Sequence, residues 1–232
     1  MNYPPLLPVL PKTNYRIALF GTSADPPTAG HQEICRWLGQ HYDWVAVWAS
    51  DNPFKSHQTP LEHRSTMLKL LLEDLRSPGK YGDAGFNAKF KAGFNAEFHS
   101  QLNPVLNIDL YQKLSSPRTL ETVTKARQLW GDEPELTLVI GADLISQLPR
   151  WYRLEDLLQQ VKILVIPRSG YPLEEQDLQE LKSLGGRVAI ARVHPPGVSS
   201  TDYRNSGDDR AITPPVAAYI SQENLYPCQN LA

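Results

Sequence analysis

Arg16-Ile17-Ala18-Leu19-Phe20-Gly21-Thr22-Ser23-Ala24-Asp25-Pro26-Pro27-Thr28-Ala29-Gly30-His31 is the stretch on which the fold turns. A short apolar run ends at Gly21. A loop of small and turn-forming residues follows to Pro27, and a helical pattern then places Ile34, Trp37 and Leu38 on one face. An apolar run without polar alternation suits a strand buried on both faces, and a helix directly behind it suits a crossover to a parallel neighbour.

Outward from this unit the alternation repeats. Trp44–Ala49 is a second apolar run, and the loop Asp51–Pro60 leads into a helix carrying Met67, Leu68, Leu71 and Leu72. Val105–Leu110, Leu136–Ile140, Val161–Ile166 and Arg187–Val193 read as strands. Thr119–Trp130, Leu154–Leu158, Leu173–Leu184 and Pro214–Glu223 read as helices. The expected fold is a doubly wound, Rossmann-like α/β parallel sheet forming one domain over residues 15–226. Residues 1–14 read as a proline-rich tail and 227–232 as a C-terminal tail. Residues 77–104 read as a mobile surface insertion, with a short repeat, Gly85-Phe86-Asn87-Ala88-Lys89-Phe90 and Gly93-Phe94-Asn95-Ala96-Glu97-Phe98.

Composition bounds the function. The 232 residues are 41% hydrophobic and 21% charged, with a net charge of -2 and a pI near 6.3. No global positive field favours a nucleic acid. No run of about 18 apolar residues points to a membrane span, and the N-terminus lacks the pattern of a signal peptide. Cys35 and Cys228 are far apart and outside any C-x-x-C pair, which fits a reducing, cytoplasmic setting. His41, His57, His63, His99 and His194 show no metal-ligand spacing, so no resident metal is expected.

Ligands of doubly wound sheets bind outside the carboxyl ends of the strands. The segments to inspect are therefore Gly21–His31, Asp51–Lys55, Gly141–Asp143 and His194–Arg204. In the first, small residues admit a ligand close to the backbone, and the helix start offers free N–H groups to an anion. Thr28 can cap the helix, and His31, three residues on, can face the same phosphate. The same residues also suit a capped loop with a histidine that does no chemistry. Neither G-x-x-x-x-G-K-[ST] nor G-x-G-x-x-G is present. In Val198-Ser199-Ser200-Thr201-Asp202-Tyr203-Arg204, hydroxyls at a helix start with an arginine one turn on suit a polyphosphate, or equally an ordinary cap with a surface arginine. Gly141-Ala142-Asp143 ends a strand where an acid can hold a ribose, and Trp151 and Tyr152 follow; a turn and a core tryptophan would look the same. Lys55 suits a phosphate or the solvent.

Taken in order, these segments resemble the signatures of the HxGH/TxGH nucleotidyltransferase superfamily. Gly21–His31 is similar to G-G-T-F-D-P-x-H-x-G-H, in the T-x-G-H form, and Val198–Arg204 to I-S-S-T-x-I-R. Gly141-Ala142-Asp143 with Leu148-Pro149-Arg150-Trp151 resembles the G-x-D…L-P-x-W segment of the nicotinate mononucleotide adenylyltransferases. Asn52-Pro53-Phe54-Lys55 with Glu62-His63-Arg64 and Met67 resembles P-P-H-K…E-H-R-x-x-M, and Ser116–Thr122 resembles S-Y-T-x-[DE]-T. Ala24, Phe54, Pro117 and Arg118 depart from the pattern.

The resemblance implies adenylyl transfer from ATP to nicotinate mononucleotide, with Mg²⁺ accompanying the ATP. It implies His31, Thr28 and Arg204 as the catalytic set. Gly21, Thr22, Ser23, Gly30, Lys55, Gly141, Asp143, Ser199, Ser200 and Thr201 would bind ATP or its phosphates. Thr119, Trp151 and Tyr152 would meet the pyridine nucleotide. The same reaction on nicotinamide mononucleotide, a catalytically silent nucleotide-binding regulator and a homo-oligomeric assembly stay open at this point.

Overall fold

The computed structural model describes residues 15–51, 58–77 and 104–227. The tail 1–14, nearly all of the 77–104 insertion, Phe54 and Lys55, and residues 228–232 with Cys228 lie outside these. Elements are numbered over the described residues.

Six parallel strands form one sheet: β1 (Arg16–Thr22), β2 (Trp44–Ala49), β3 (Ile108–Leu110), β4 (Glu135–Gly141), β5 (Lys162–Ile166) and β6 (Arg187–Ile190), in the order β3-β2-β1-β4-β5-β6. The helices are α1 (Ala29–His41), α2 (Leu61–Arg76), α3 (Thr119–Trp130), α4 (Leu154–Gln160), α5 (Glu175–Ser183), α6 (Ser200–Ser206) and α7 (Pro214–Gln222). A 3₁₀ segment, Ala142–Arg150, joins β4 to the turn before α4.

Alternate residues of each strand face opposite cores, because successive side chains point to opposite sides of a sheet. Ala18, Phe20, Val45 and Val47 join Leu38 of α1, Met67, Leu68, Leu71 and Leu75 of α2, and Val216 and Ile220 of α7 on one face. Ile17, Leu19, Ala46, Leu136 and Leu138 join Val123 of α3, Leu157 of α4 and Leu181 of α5 on the other. Both faces are covered, as an all-parallel sheet requires.

From β1 the chain steps outward to β2 and β3 through α1 and α2; from β4 it steps the other way to β5 and β6. The winding therefore reverses between β1 and β4, and a crevice opens there beyond the strand ends.

Two strands are shorter than expected. The 105–110 run pairs only from Ile108, because the Asn107 side chain turns to the Gly39 and Tyr42 carbonyls at 2.9 and 2.7 Å. The 187–193 run leaves the sheet after Ile190, with one last bond from the Ala191 N–H to the Val165 carbonyl, as the chain approaches Pro195-Pro196. The 3₁₀ segment was not anticipated; Pro149 lies inside it, and a proline removes a backbone donor. Cys35 is free and buried, and burial pushes its thiol up to about 12.

Candidate active site

Two segments far apart in sequence meet at the β1 end of the crevice. Thr28 has extended backbone and precedes the first turn of α1. Its N–H donates to His31 Nδ1 at 3.0 Å, and its Oγ1 lies 2.9 Å from the same nitrogen. An Nδ1 that accepts a backbone N–H leaves the ring proton on Nε2. Nε2 is 2.9 Å from Thr22 Oγ1 at the end of β1. The imidazole is thus clamped on both sides and presents one N–H donor at the strand end. Burial, with repulsion from the Arg168 guanidinium, holds its pKa down at about 4, so the ring is neutral at pH 7.

The second segment arrives from α6. Ser199 caps this helix, its Oγ accepting the Asp202 N–H at 3.0 Å. Tyr203 is buried in the core on the α1 side and fixes the helix there. Ser200 Oγ donates to the Pro26 carbonyl at 2.8 Å. Arg204 donates from Nη1 to the Asp25 carbonyl and from Nη2 to Thr201 Oγ1 at 3.2 Å. The 196–198 segment also packs here: a Cβ at Gly30 would make ordinary contact with the Pro196 carbonyl at 3.6 Å and that of Val198 at 3.7 Å. At Gly21 a Cβ would fall 2.5 Å from the Trp48 ring, so the β1 end lies flush against that indole.

Buried polar groups hold the loop from below. Asp25 is 4% exposed; its carboxylate accepts the Tyr226 hydroxyl at 2.6 Å and the Thr59 N–H at 3.4 Å. Arg64, 2% exposed, donates to the carbonyls of Thr59, Ser23 and Ser50 at 2.8, 2.9 and 2.7 Å. One guanidinium thus ties α2, the β1 loop and the β2 loop together. His63 is a structural neighbour, its Nδ1 2.8 Å from the Tyr219 hydroxyl.

The β4 side supplies the other wall. Gly141 leaves room for the Asp143 carboxylate to fold back over the strand end. Asp143 Oδ2 accepts Arg168 Nη1 at 3.0 Å. Trp151 is half-buried against the core on the α3 side, whereas Tyr152 is exposed. The Arg118 guanidinium lies 4.4 Å from the Tyr152 ring centroid, which brings the start of α3, and hence Thr119, beside the 3₁₀ segment.

The structure therefore gathers Thr22, Thr28, Gly30 and His31 with Ser200, Thr201 and Arg204 at one end of the crevice, and Asp143 with Arg168 borders it from the strands beyond. Trp151, Tyr152 and Thr119 form a second cluster on the α3 side. Thr28 is 1% exposed, so in the free protein it serves to orient His31. Lys55 lies outside the described residues. Arg168 escaped the sequence reading although it follows the carboxyl end of β5, the position that marks site residues in such sheets. Asp25 and Arg64, which the sequence shows only as members of their motifs, are buried braces, because their partners Tyr226, Ser23 and Ser50 lie far away in the chain.

A parallel sheet whose switch point carries a T-x-G-H helix start and an S-S-T-x-x-R helix start defines a nucleotidyltransferase. The chain belongs to the cytidylyltransferase-like family, whose model matches residues 19–206. Within it the chain is a member of the nicotinate-nucleotide adenylyltransferase group. It is 39% identical to the "Probable nicotinate-nucleotide adenylyltransferase" of Synechocystis sp. over 91% of this chain and 98% of that protein. It is 25% identical to the nicotinate-nucleotide adenylyltransferase of Bacillus subtilis over 91% and 98% of the two lengths. The fold matches Plasmodium falciparum nicotinic acid mononucleotide adenylyltransferase complexed with NaAD, with a TM-score of 0.68 at 19% identity over 92% of this chain and 98% of that one.

Proposed function

We propose that this protein transfers the adenylyl group of ATP to nicotinate mononucleotide, giving nicotinate adenine dinucleotide and pyrophosphate. The observation that carries the reading is the docking of the Ser200–Arg204 helix on the Asp25–Pro26 loop that leads into the Thr28–His31 helix start. It supplies a neutral donor and a cation on either side of one loop.

The reaction is an in-line displacement. A 5′-phosphate oxygen of the mononucleotide attacks the α-phosphorus of ATP, the bond to the β-phosphate oxygen breaks, and pyrophosphate leaves with that electron pair. Positioning and charge stabilisation suffice, so no covalent intermediate on the protein is required. The His31 Nε2–H turns from Thr22 to a phosphate oxygen as charge builds. Ser200, Thr201 and Arg204 receive the departing pyrophosphate. Asp143 places the nucleotide sugar. Trp151 and Tyr152 take the pyridine ring, with Thr119 beside them. Bound together with ATP, Mg²⁺ would screen the triphosphate charge beside Ser200, Thr201 and Arg204. Among the described residues there is no group of three or more His, Cys, Asp or Glu side chains suited to a metal. No described helix is long and apolar enough to cross a membrane; a cytoplasmic setting accompanies the proposed reaction.

Mass analysis of the product tests the reading. Incubation with ATP, Mg²⁺ and nicotinate mononucleotide is expected to yield nicotinate adenine dinucleotide in equal amount to pyrophosphate. ATP consumption without dinucleotide would overturn it.

A further inference from the structure

Arg118 breaks the resemblance to S-Y-T-x-[DE]-T, and the structure gives it a definite place. It stands immediately before the first turn of α3, with extended backbone at φ -119°, next to Thr119. Pro117 precedes it and restricts the approach of the chain. The guanidinium rests at the Tyr152 ring, 4.4 Å from the centroid, and Trp151 is the adjoining half-buried ring. A charged, half-exposed head is thereby set beside the Tyr152 ring.

We propose that Arg118 is a specificity-determining residue that selects the acid form of the pyridine mononucleotide by pairing with its ring carboxylate. The inference rests on the pyridine-nucleotide reading of the Trp151–Tyr152 cluster. Its acidic neighbour, Glu121, is 3.4 Å away across one helical turn, with both side chains about half exposed at 54% and 47%. A long, solvated pair of this kind is weak and easily exchanged for a ligand. Against an aromatic ring, a guanidinium keeps edge N–H donors for a planar, bidentate acceptor, which a carboxylate is. A carboxamide fits the same fork poorly. It carries no charge, and its NH₂ sets donor against donor, leaving a polar group unpaired.

The test compares kcat/KM for nicotinate and nicotinamide mononucleotides, each with saturating Mg-ATP, in the wild type, Arg118→Gln and Arg118→Lys. Thermal unfolding of each variant reports on the fold. The acid-to-amide ratio is expected to fall roughly tenfold in Arg118→Gln, through KM for the acid, because a charge-assisted pair is lost on one substrate only. Arg118→Lys, which keeps the charge but not the fork, is expected to recover part of the ratio. An unchanged ratio overturns the proposal, as does an equal loss on both substrates, which would assign Arg118 to the shared phosphate or to folding. A wild type that makes no dinucleotide from either substrate would instead remove the reaction on which the proposal rests. An active wild type with a ratio insensitive to residue 118 removes only the selector.

Discussion

The Thr28 N–H donates to His31 Nδ1 at 3.0 Å, and that single bond decides which nitrogen of the imidazole carries the proton. With Nε2 as donor and the ring neutral, the proposed role of His31 is to stabilise charge instead of exchanging protons. Replacing His31 with Ala is expected to lower kcat by about 10²–10³-fold, the cost of one aligned transition-state donor. Circular dichroism is expected to stay native. Near-normal turnover would remove His31 from the mechanism.

The depressed pKa of His31 has a consequence for stability. The unfolded chain takes up this proton near pH 6.5, the folded chain only near pH 4. Between these values the unfolded state binds more protons, so stability falls as pH falls from 6.5 toward 4, and no such loss operates above 6.5. The urea midpoint of the wild type is expected to drop more across this window than that of His31→Asn. Parallel pH profiles would contradict the assignment.

Arg64 joins three loops through carbonyls of Thr59, Ser23 and Ser50. Arg64→Met fills similar volume but abandons these acceptors inside the fold. The expected loss is about 3 kcal/mol, comparable to removing a charged partner from buried groups. In a chain of this size it corresponds to a fall in Tm of roughly 6–12 °C. Calorimetry checks it, and a Tm within a degree of wild type would deny the brace.

Gly141 makes space for the Asp143 carboxylate. Gly141→Ala is expected to displace Asp143 from Arg168 and raise KM for ATP several-fold, a misplacement effect on orientation of about that size. The KM for the mononucleotide is expected to move less. Initial rates over both substrate concentrations separate the two, and equal rises would place Asp143 elsewhere.

Much of this arrangement is legible from residue order. β2 is apolar throughout, and β1 and β4 carry the apolar runs Ile17–Phe20 and Leu138–Ile140, because both faces are buried; the helices carry one apolar stripe each, so Leu68 and Leu71 could be assigned inward by period. The T-x-G-H and S-S-T-x-x-R segments announce themselves by type and spacing. What sequence order conceals is cross-chain pairing. Nothing in the neighbours of Asp25 foretells Tyr226 beneath it, and nothing around Asp143 foretells Arg168, because these contacts arise from the strand order. The 3₁₀ path of Ala142–Arg150 and the early ends of β3 and β6 depend on local competition, from Pro149 and the Asn107 amide among others, which no apolar pattern encodes. Trp151 is the intermediate case: its type suggested a ring to stack on, and only the fold shows it half-buried beside exposed Tyr152.

The most direct test of adenylyl transfer to the acid substrate is the initial rate of pyrophosphate release. Purified protein would be given ATP and Mg²⁺ alone, with nicotinate mononucleotide, and with nicotinamide mononucleotide. The predicted result is release that requires a mononucleotide and a kcat/KM higher for the acid than for the amide. Release without any mononucleotide, or none with either, would contradict the transfer reaction; a preference for the amide would contradict the assigned substrate.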